Sequence, residues 1–445
     1  MLLQCSQCGF KTNELRLRCP KCNSILEPVT DNQWSPHGSG FWRYSSLLPQ
    51  LREKVSLGEG GTPLIMSRWY ARRLGIRLYF KDESRNPTGS LYDRVAALIS
   101  SHVLSENIDR VVVASDGNLG ASLSAYLAGT NVDLQVIVPK RVDPGKKAQM
   151  TLYGARVIMY GENLDDAVEY ASRKAIEGYY NATAELNPLG YTALTTIAYE
   201  IYEQLDTVPE SIIVPTASGT TAYALYRGFT ILSKHGLIEK LPRIIIVQTP
   251  PCPTIASRLG EYVLVTDTTP ITGLTYCKPP LLDEVVELVK KTRGKAIVVS
   301  IREVYESALE LASKEGLLVE PASAAAIAGL KRLANHGEIS EAVVLLTGSG
   351  LKVISSYFER AKGKTLYNIP TKAEILRIID EHGEVHGYAI WRLMEGKITP
   401  QSVYQHLREL EEKGFVVAEY KNRRKVYRLT EKGKRVLELL VQLLE

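Results

Sequence analysis

Between about residues 55 and 360 the chain alternates short β-branched and aliphatic runs with longer segments whose apolar positions recur at helical spacing. The runs fall at 78–81, 111–115, 135–139, 155–160, 212–215, 243–248 and 342–347. Most end in Gly, Ser, Thr or Pro, and each reads as a strand leading into a helix. Continuous apolar strands of this kind suit a parallel sheet covered on both faces, with ligands taken at the carboxyl ends of the strands. The pattern therefore predicts an α/β fold. It stops at both ends of the chain. Residues 1–30 are short and cysteine-bearing, 361–370 read as a linker, and 371–445 show several helices and one basic hairpin. Four regions follow: 1–30, 31–360, 361–370 and 371–445.

The 445 residues are too many for one ordinary core. Hydrophobic residues at 45% and charged residues at 23% give the balance of a globular protein and exclude a disordered or fibrous chain. No apolar run approaches the length of a membrane span, and the first residues lack a signal-peptide pattern, so a cytoplasmic location is expected. A net charge of +5 is modest, but eight basic residues lie between Lys421 and Arg435 against the single acid Glu431. That concentration points to a phosphate-bearing partner for the tail.

Four of the six cysteines lie within the first 22 residues, as Cys5-x2-Cys8 and Cys19-x2-Cys22. In a cytosolic chain such clustering reads as metal-binding before disulfide-bonded. Two such knuckles place four thiolates tetrahedrally around one Zn²⁺, and four protein ligands leave no open position. A structural zinc ribbon over 1–30 is expected, with Cys252 and Cys277 outside it.

Several strings in the middle carry a resemblance. Gly58-Glu59-Gly60-Gly61-Thr62-Pro63-Leu64 precedes Lys81-Asp82-Glu83 and Asn86-Pro87-Thr88-Gly89-Ser90; Ser115-Asp116-Gly117-Asn118 and Thr347-Gly348-Ser349-Gly350-Leu351-Lys352 follow. In this order they resemble threonine synthase, a pyridoxal-phosphate enzyme of the tryptophan-synthase-β fold. The resemblance implies two open twisted sheet subdomains. It also implies that Asn118 bonds the cofactor's ring hydroxyl and that Thr347 sits at the pyridine nitrogen. Ser218, Gly219, Thr220 and Thr221 would form the phosphate cup, where a small-residue turn opens a helix. Ser84, Asn86, Thr88 and Ser90 resemble the loop that takes the substrate's carboxylate and phosphate.

The family string requires Ser-Phe-Lys-Asp-Arg, and this chain reads Ser90-Leu91-Tyr92-Asp93-Arg94. Tyr92 stands where the resemblance places the lysine that holds the cofactor covalently and shuttles a proton. A phenol cannot form that bond, and its pKa of about 10 makes it a poor base at neutral pH. A second departure is Leu194-Thr195-Thr196 before Ile197-Ala198-Tyr199-Glu200, where the family carries Gly-x-Lys-Thr. Pyridoxal phosphate would then be held without a covalent bond, or an amino acid or a phosphorylated amino acid would be the molecule sensed, the latter occupying the cup alone.

The tail resembles the winged-helix domain of PadR-type regulators through His386-Gly387-Tyr388-Ala389-Ile390, Ser402-Val403-Tyr404-Gln405-His406-Leu407 and Arg424-Lys425-Val426-Tyr427-Arg428-Leu429-Thr430. The residues themselves agree. Thr399 is a helix N-cap with Pro400 in the first turn, opening a helix to about Lys413. Val403, Leu407 and Leu410 face a small core. Gln401, Ser402, Gln405, His406 and Arg408 are left outside, types that bond base edges and phosphates in a major groove. Strands over 415–420 and 425–429 form a hairpin whose Arg423, Arg424 and Lys425 suit contact with double-stranded DNA. Val436, Leu439, Leu440 and Leu443 form an apolar stripe that would pair two chains into a homodimer. Together these readings describe a regulator with a ligand-sensing domain and a DNA-reading tail. The alternatives are a working lyase whose tail regulates its own operon, and a pseudoenzyme with an empty pocket that binds a partner.

Overall fold

The computed structural model describes residues 1–261, 269–357, 371–394, 398–421 and 424–442, and the chain divides into two compact units, Met1–Ile354 and Ser355–Glu445. The larger unit holds two large sheets and a small N-terminal one. Six strands run in the order Lys295–Val298, Arg243–Gln248, Ser211–Pro215, Glu341–Leu346, Arg77–Asp82 and Leu64–Met66, all parallel except the last. The second sheet is fully parallel, in the order Arg156–Met159, Asp133–Val138, Arg110–Ala114 and Tyr180–Asn181. All seven runs expected from the sequence are strands, with ends shifted by at most two residues. Three strands went unforeseen. Leu64–Met66 and Tyr180–Asn181 are too short for a period, and Lys295–Val298 begins on an exposed lysine at the edge of its sheet.

The central strands are buried on both faces, which is why they read as continuous apolar runs: Val111, Val112, Val113, Ile212, Ile213 and Val214 are inaccessible to solvent. Helices cover both faces. Two of them, Leu164–Ile176 and Ile301–Glu315, open on capping boxes formed by Asn163 with Asp166 and by Ser300 with Glu303.

The first thirty residues form a three-stranded antiparallel ribbon, Lys11–Thr12, Leu3–Cys5 and Leu26–Pro28, around Leu3, Cys5, Cys19 and Leu26. It packs against the rest of the same unit. The Tyr191 hydroxyl donates to the Leu26 carbonyl at 2.8 Å, Arg227 pairs with Glu27 at 2.6 Å, and Arg18 pairs with Glu284.

Cys252 and Cys277 form a disulfide across 25 residues of sequence, a pairing the sequence reading did not anticipate. It ties the loop carrying Gly273–Tyr276 to the end of the strand Arg243–Gln248.

The second unit is a winged helix. Helices Thr371–His382, Gly387–Leu393, Pro400–Glu412 and Glu431–Gln442 surround a three-stranded sheet ordered Val385–His386, Arg424–Leu429 and Val416–Lys421. Ile375, Ile379, Ile390, Val403, Leu407, Leu410 and Tyr427 are among its core. The expected linker 361–370 lies outside the described residues. Among the described residues no helix is long and apolar enough to cross a membrane.

Candidate functional site

Turns at the carboxyl ends of three strands converge on one cavity. The turn after Arg110–Ala114 supplies Asp116, the turn after Ser211–Pro215 supplies Thr216, Ala217 and Ser218, and the turn after Glu341–Leu346 supplies Thr347. Ser90 and Tyr92 enter from the start of the helix Tyr92–Ser105. The cavity measures about 50 Å³, room for roughly four waters. It also receives Glu185, Glu320 and the loop Gly273–Tyr276.

Its floor is an ion pair. Lys146 Nζ donates to Glu320 at 2.8 Å, and Asn118 Nδ2 donates to the two oxygens of the same carboxylate at 2.9 and 3.0 Å. Burial opposes charge on Glu320, but Lys146 and these hydrogen bonds overcome it and hold its carboxyl below the usual range. Two glycines make room. A Cβ on Gly117, at φ +141°, would meet Lys146 Cδ at 2.2 Å, and one on Gly348 would meet Glu320 Oε1 at 2.5 Å. Thr347 Oγ1 lies 2.8 Å from Ser323 Oγ. Asn118 Oδ1 is buried without a donor.

The wall is acidic. Burial pushes the Glu185 carboxyl up to about 7, with Asp116 adding to it, and burial likewise raises Asp116. Tyr92 has its phenol raised well above the usual value, first by burial and then by the carboxylates of Glu185, Asp116 and Glu320. The Ser218 hydroxyl lies against the Glu185 carboxyl and its one proton goes to Thr220 Oγ1 at 3.1 Å, while Gly219 N–H donates to Thr216 Oγ1 at 3.0 Å. Gly219 adopts φ +80°, and a Cβ there would meet Val285 Cγ2 at 2.6 Å.

Of the eleven residues expected around a ligand, Ser90, Tyr92, Asn118, Ser218, Thr221 and Thr347 line the cavity. Gly219 and Thr220 form the turn behind Ser218. Ser84, Asn86 and Thr88 are not in the lining. Ser84 bonds Asp82, Asn86 accepts from Gly60 N–H at 2.9 Å and donates to Glu83, and Thr88 donates to Asp93 at 2.6 Å. These three side chains hold their own loop. Other motif residues form a scaffold beneath it. Fully buried Arg94 bonds Glu83 at 2.8 Å and Glu200 at 2.6 Å, and Lys81 bonds Glu200 at 2.6 Å. The sequence reading missed Glu185 and Glu320 as lining residues. Glu320 just before Pro321, at a helix start, was the one local signal available.

At the other end of this unit, the Sγ atoms of Cys5, Cys8, Cys19 and Cys22 all lie within 4.8 Å of one another, with Cys5 to Cys22 at 3.4 Å and Cys8 to Cys19 at 3.6 Å. Such a cluster can hold a metal ion. Cys252 and Cys277 stand apart from it, as expected.

In the winged helix, Thr399 Oγ1 accepts from Ser402 N–H at 3.2 Å and caps the helix Pro400–Glu412. Gln401, Gln405 and Arg408 are exposed, and Ser402 and His406 are half-buried. Gln405 reaches Glu409 at 3.4 Å. Lys425 is tied to Glu411 at 2.9 Å and Lys421 to Glu384 at 2.6 Å, so these two wing cations are internally paired. Arg424 opens the strand Arg424–Leu429, and Arg423 lies outside the described residues. On the last helix Val436 packs against the core. The side chains of Leu439 and Leu440, and Leu443 as a whole, lie outside the described residues. His386 caps a helix, its Nδ1 accepting from Ala389 N–H at 3.0 Å.

Residues 55–350 match the family described as Pyridoxal-phosphate dependent enzyme, and residues 375–439 match the Transcriptional regulator PadR-like family. A threonine synthase of Methanocaldococcus jannaschii is 34% identical over 377 residues, covering 79% of this chain and 93% of its own length. That of Methanosarcina acetivorans is 32% identical over 365 residues, covering 78% and 90%. Among solved structures, O-ureido-L-serine synthase superposes with a TM-score of 0.57 at 17% identity, over 70% of this chain and 95% of that one. A hydrogen sulfide-producing enzyme from Fusobacterium nucleatum gives 0.56 at 22% identity, over 66% and 96%. At these identities the structural likeness establishes the fold.

Proposed function

The chain belongs to the pyridoxal-phosphate dependent enzyme family, its threonine synthase-like domain joined to a C-terminal PadR-like transcription regulator domain, and on that premise we propose that it is a DNA-binding regulator whose large domain senses a small molecule. The observation that carries this reading is Tyr92. Its ring stands in the cavity wall at the position where the resemblance calls for a lysine, and burial, with three carboxyl groups nearby, keeps the phenol protonated.

The residues do not fit pyridoxal phosphate. No lysine is among the described residues lining the cavity. Two donors of the expected phosphate turn are committed within it, Gly219 N–H to Thr216 and the Ser218 hydroxyl to Thr220. Beside Ser218 the chain places its own carboxyl, Glu185, where a phosphate would need donors or a cation. What remains is a small, polar, partly open pocket at the strand ends, which suits recognition of a small molecule.

In this reading the cysteine cluster holds one structural Zn²⁺ that fixes the ribbon against the large domain. The PadR-like unit reads double-stranded DNA through the outer face of Pro400–Glu412, with the chain acting as a homodimer. Ligand binding would alter DNA affinity only by favouring one of two arrangements of the dimer.

The test uses the purified full-length protein. Its own upstream DNA should be retarded at low salt, and borohydride treatment after mixing with pyridoxal phosphate should leave Met1–Ile354 without a covalent adduct by mass spectrometry. A stoichiometric adduct would favour a lyase with a regulatory tail. Failure to retard DNA would refute the regulator and leave a partner-binding pseudoenzyme.

A further inference from the structure

One wall of the cavity is a loop tied down by sulfur. Residues Gly273–Tyr276 line the cavity, and Cys277, the next residue, is bonded to Cys252 just past the strand Arg243–Gln248. Cys277 Sγ lies 3.7 Å from the carbonyl oxygen of Thr275, itself in the lining. At its other end the loop meets the cavity's acidic wall, where the Gly273 N–H donates to Asp116 at 2.6 Å. A change at the sulfurs therefore acts on the same short loop that holds a wall carboxyl.

The two cysteines are kept side by side by more than their bond. Thr254 Oγ1 donates to the Cys277 carbonyl at 3.0 Å, and the N–H groups of Cys277 and Lys278 donate to the Asp165 carboxylate at 3.0 and 2.9 Å. The Cα atoms are 4.9 Å apart, a separation at which two thiols join with no backbone movement. The pair thus stays in register when reduced and can close again. Both residues are half-buried rather than sealed in the core, and the four other cysteines are gathered in the ribbon. A chain that reads DNA works where the DNA is, in surroundings that keep thiols reduced. Disulfides found there are as a rule transient and redox-sensing rather than structural.

Resting on the regulator reading above, we propose that Cys252 and Cys277 are a reversible thiol–disulfide site that sets how firmly one wall of the cavity is held. The oxidant is a low-molecular-weight disulfide of the glutathione class. One cysteine thiolate attacks it, forming a mixed disulfide and releasing one small thiol. The second cysteine thiolate then attacks the protein sulfur of that mixed disulfide, forming the Cys252–Cys277 bond and releasing the other small thiol. Two electrons and two protons pass from the pair to the small disulfide, and excess small thiol runs both steps backwards. In the reduced form the loop keeps its hydrogen bonds to Asp116 and Asp165 and loses its covalent brace.

The experiment uses the full-length protein as purified, equilibrated without oxygen in glutathione buffers of graded thiol-to-disulfide ratio. Acid quenching, alkylation and peptide mass spectrometry report the state of each cysteine. Cys252 and Cys277 should change together, as one two-electron couple, between the most reducing and the most oxidising buffer. Hydrogen exchange then compares the two forms. The peptide over 271–278 should exchange about tenfold to a hundredfold faster when reduced, and the strand Arg110–Ala114 no faster. Cys252→Ser with Cys277→Ser, checked for wild-type circular dichroism, should exchange at the faster rate in both buffers. A pair still oxidised in excess dithiothreitol is a permanent brace and overturns the proposal, as does a pair reduced in every buffer. Equal exchange of the loop in the two forms overturns its link to the cavity. Retardation of upstream DNA is measured on both forms. DNA bound by neither form refutes the regulator reading, while the thiol–disulfide site is decided by the cysteine states and the exchange rates alone.

Discussion

Glu185→Gln should stabilise the protein, and only at neutral and alkaline pH. The buried carboxyl has its pKa raised from 4.5 to about 7 in the fold. A raised acid pKa means that the native state keeps its proton where the unfolded chain has lost it. Below about pH 4.5 both states are protonated and the residue costs nothing. The cost grows between 4.5 and 7 and is complete above 7. At about 1.4 kcal/mol per pH unit, it reaches about 3 kcal/mol. Glutamine keeps the shape and carries no charge to bury. The assay is urea unfolding of wild type and variant at pH 5 and pH 8, followed by the near-ultraviolet dichroism of the large unit. The variant should gain about 3 kcal/mol at pH 8 and less than about 1 kcal/mol at pH 5. Equal stability at both pH values, or a loss at pH 8, would show that Glu185 is already satisfied as an anion. The acidic-wall argument would then fall with it. The expected gain is of the kind seen where a fold keeps an unfavourable group for binding.

Other outcomes follow from particular contacts. Cys5→Ser with Cys19→Ser should remove the bound metal, read as zinc per chain by plasma mass spectrometry, whereas Cys252→Ser with Cys277→Ser should leave it stoichiometric. Arg94→Met should destabilise the large unit by about 3–5 kcal/mol in the same urea assay, because it leaves Glu83 and Glu200 buried with Lys81 alone. On DNA, Arg408→Ala should flatten the salt dependence of affinity by about one unit, while Lys425→Ala, whose ammonium is already held by Glu411, should change it less. Tyr92→Lys alone should gain little borohydride-reducible adduct with pyridoxal phosphate, and Tyr92→Lys with Glu185→Ser distinctly more. A full adduct in the single variant would show that Glu185 does not exclude phosphate.

Local pattern was enough for the elements. Six of the seven apolar runs are strands buried on both faces, and such burial is written as a nearly unbroken apolar string; Arg156–Met159, at the edge of its sheet, is only half-buried. The Thr399-Pro400 start and the Val403, Leu407, Leu410 stripe placed the recognition helix within a residue of its observed end, since a cap and a 3.6-residue period are properties of neighbours in sequence. The Cys5–Cys8 and Cys19–Cys22 spacings were legible for the same reason: each pair shares one turn, and one short ribbon joins them.

What the cavity does was decided by contacts far apart in the chain. Lys146 and Glu320 are 174 residues apart, Asn118 and Glu320 are 202 apart, and Asp116 meets Gly273 across 157. Nothing local marks these as partners. Asn86 and Thr88 looked like ligand contacts from their motif, yet the fold turns them into the loop's own hydrogen bonds, because Gly60 and Asp93 arrive there first. Cys252 and Cys277 likewise pair only because the loop over the cavity folds back on the strand end. The sequence by itself determined the secondary elements, the four-cysteine cluster, the winged helix and the tyrosine at residue 92. The tertiary structure decided which charges face one another, since the free energy of a buried charge depends on the groups around it in space and not on those beside it in the chain.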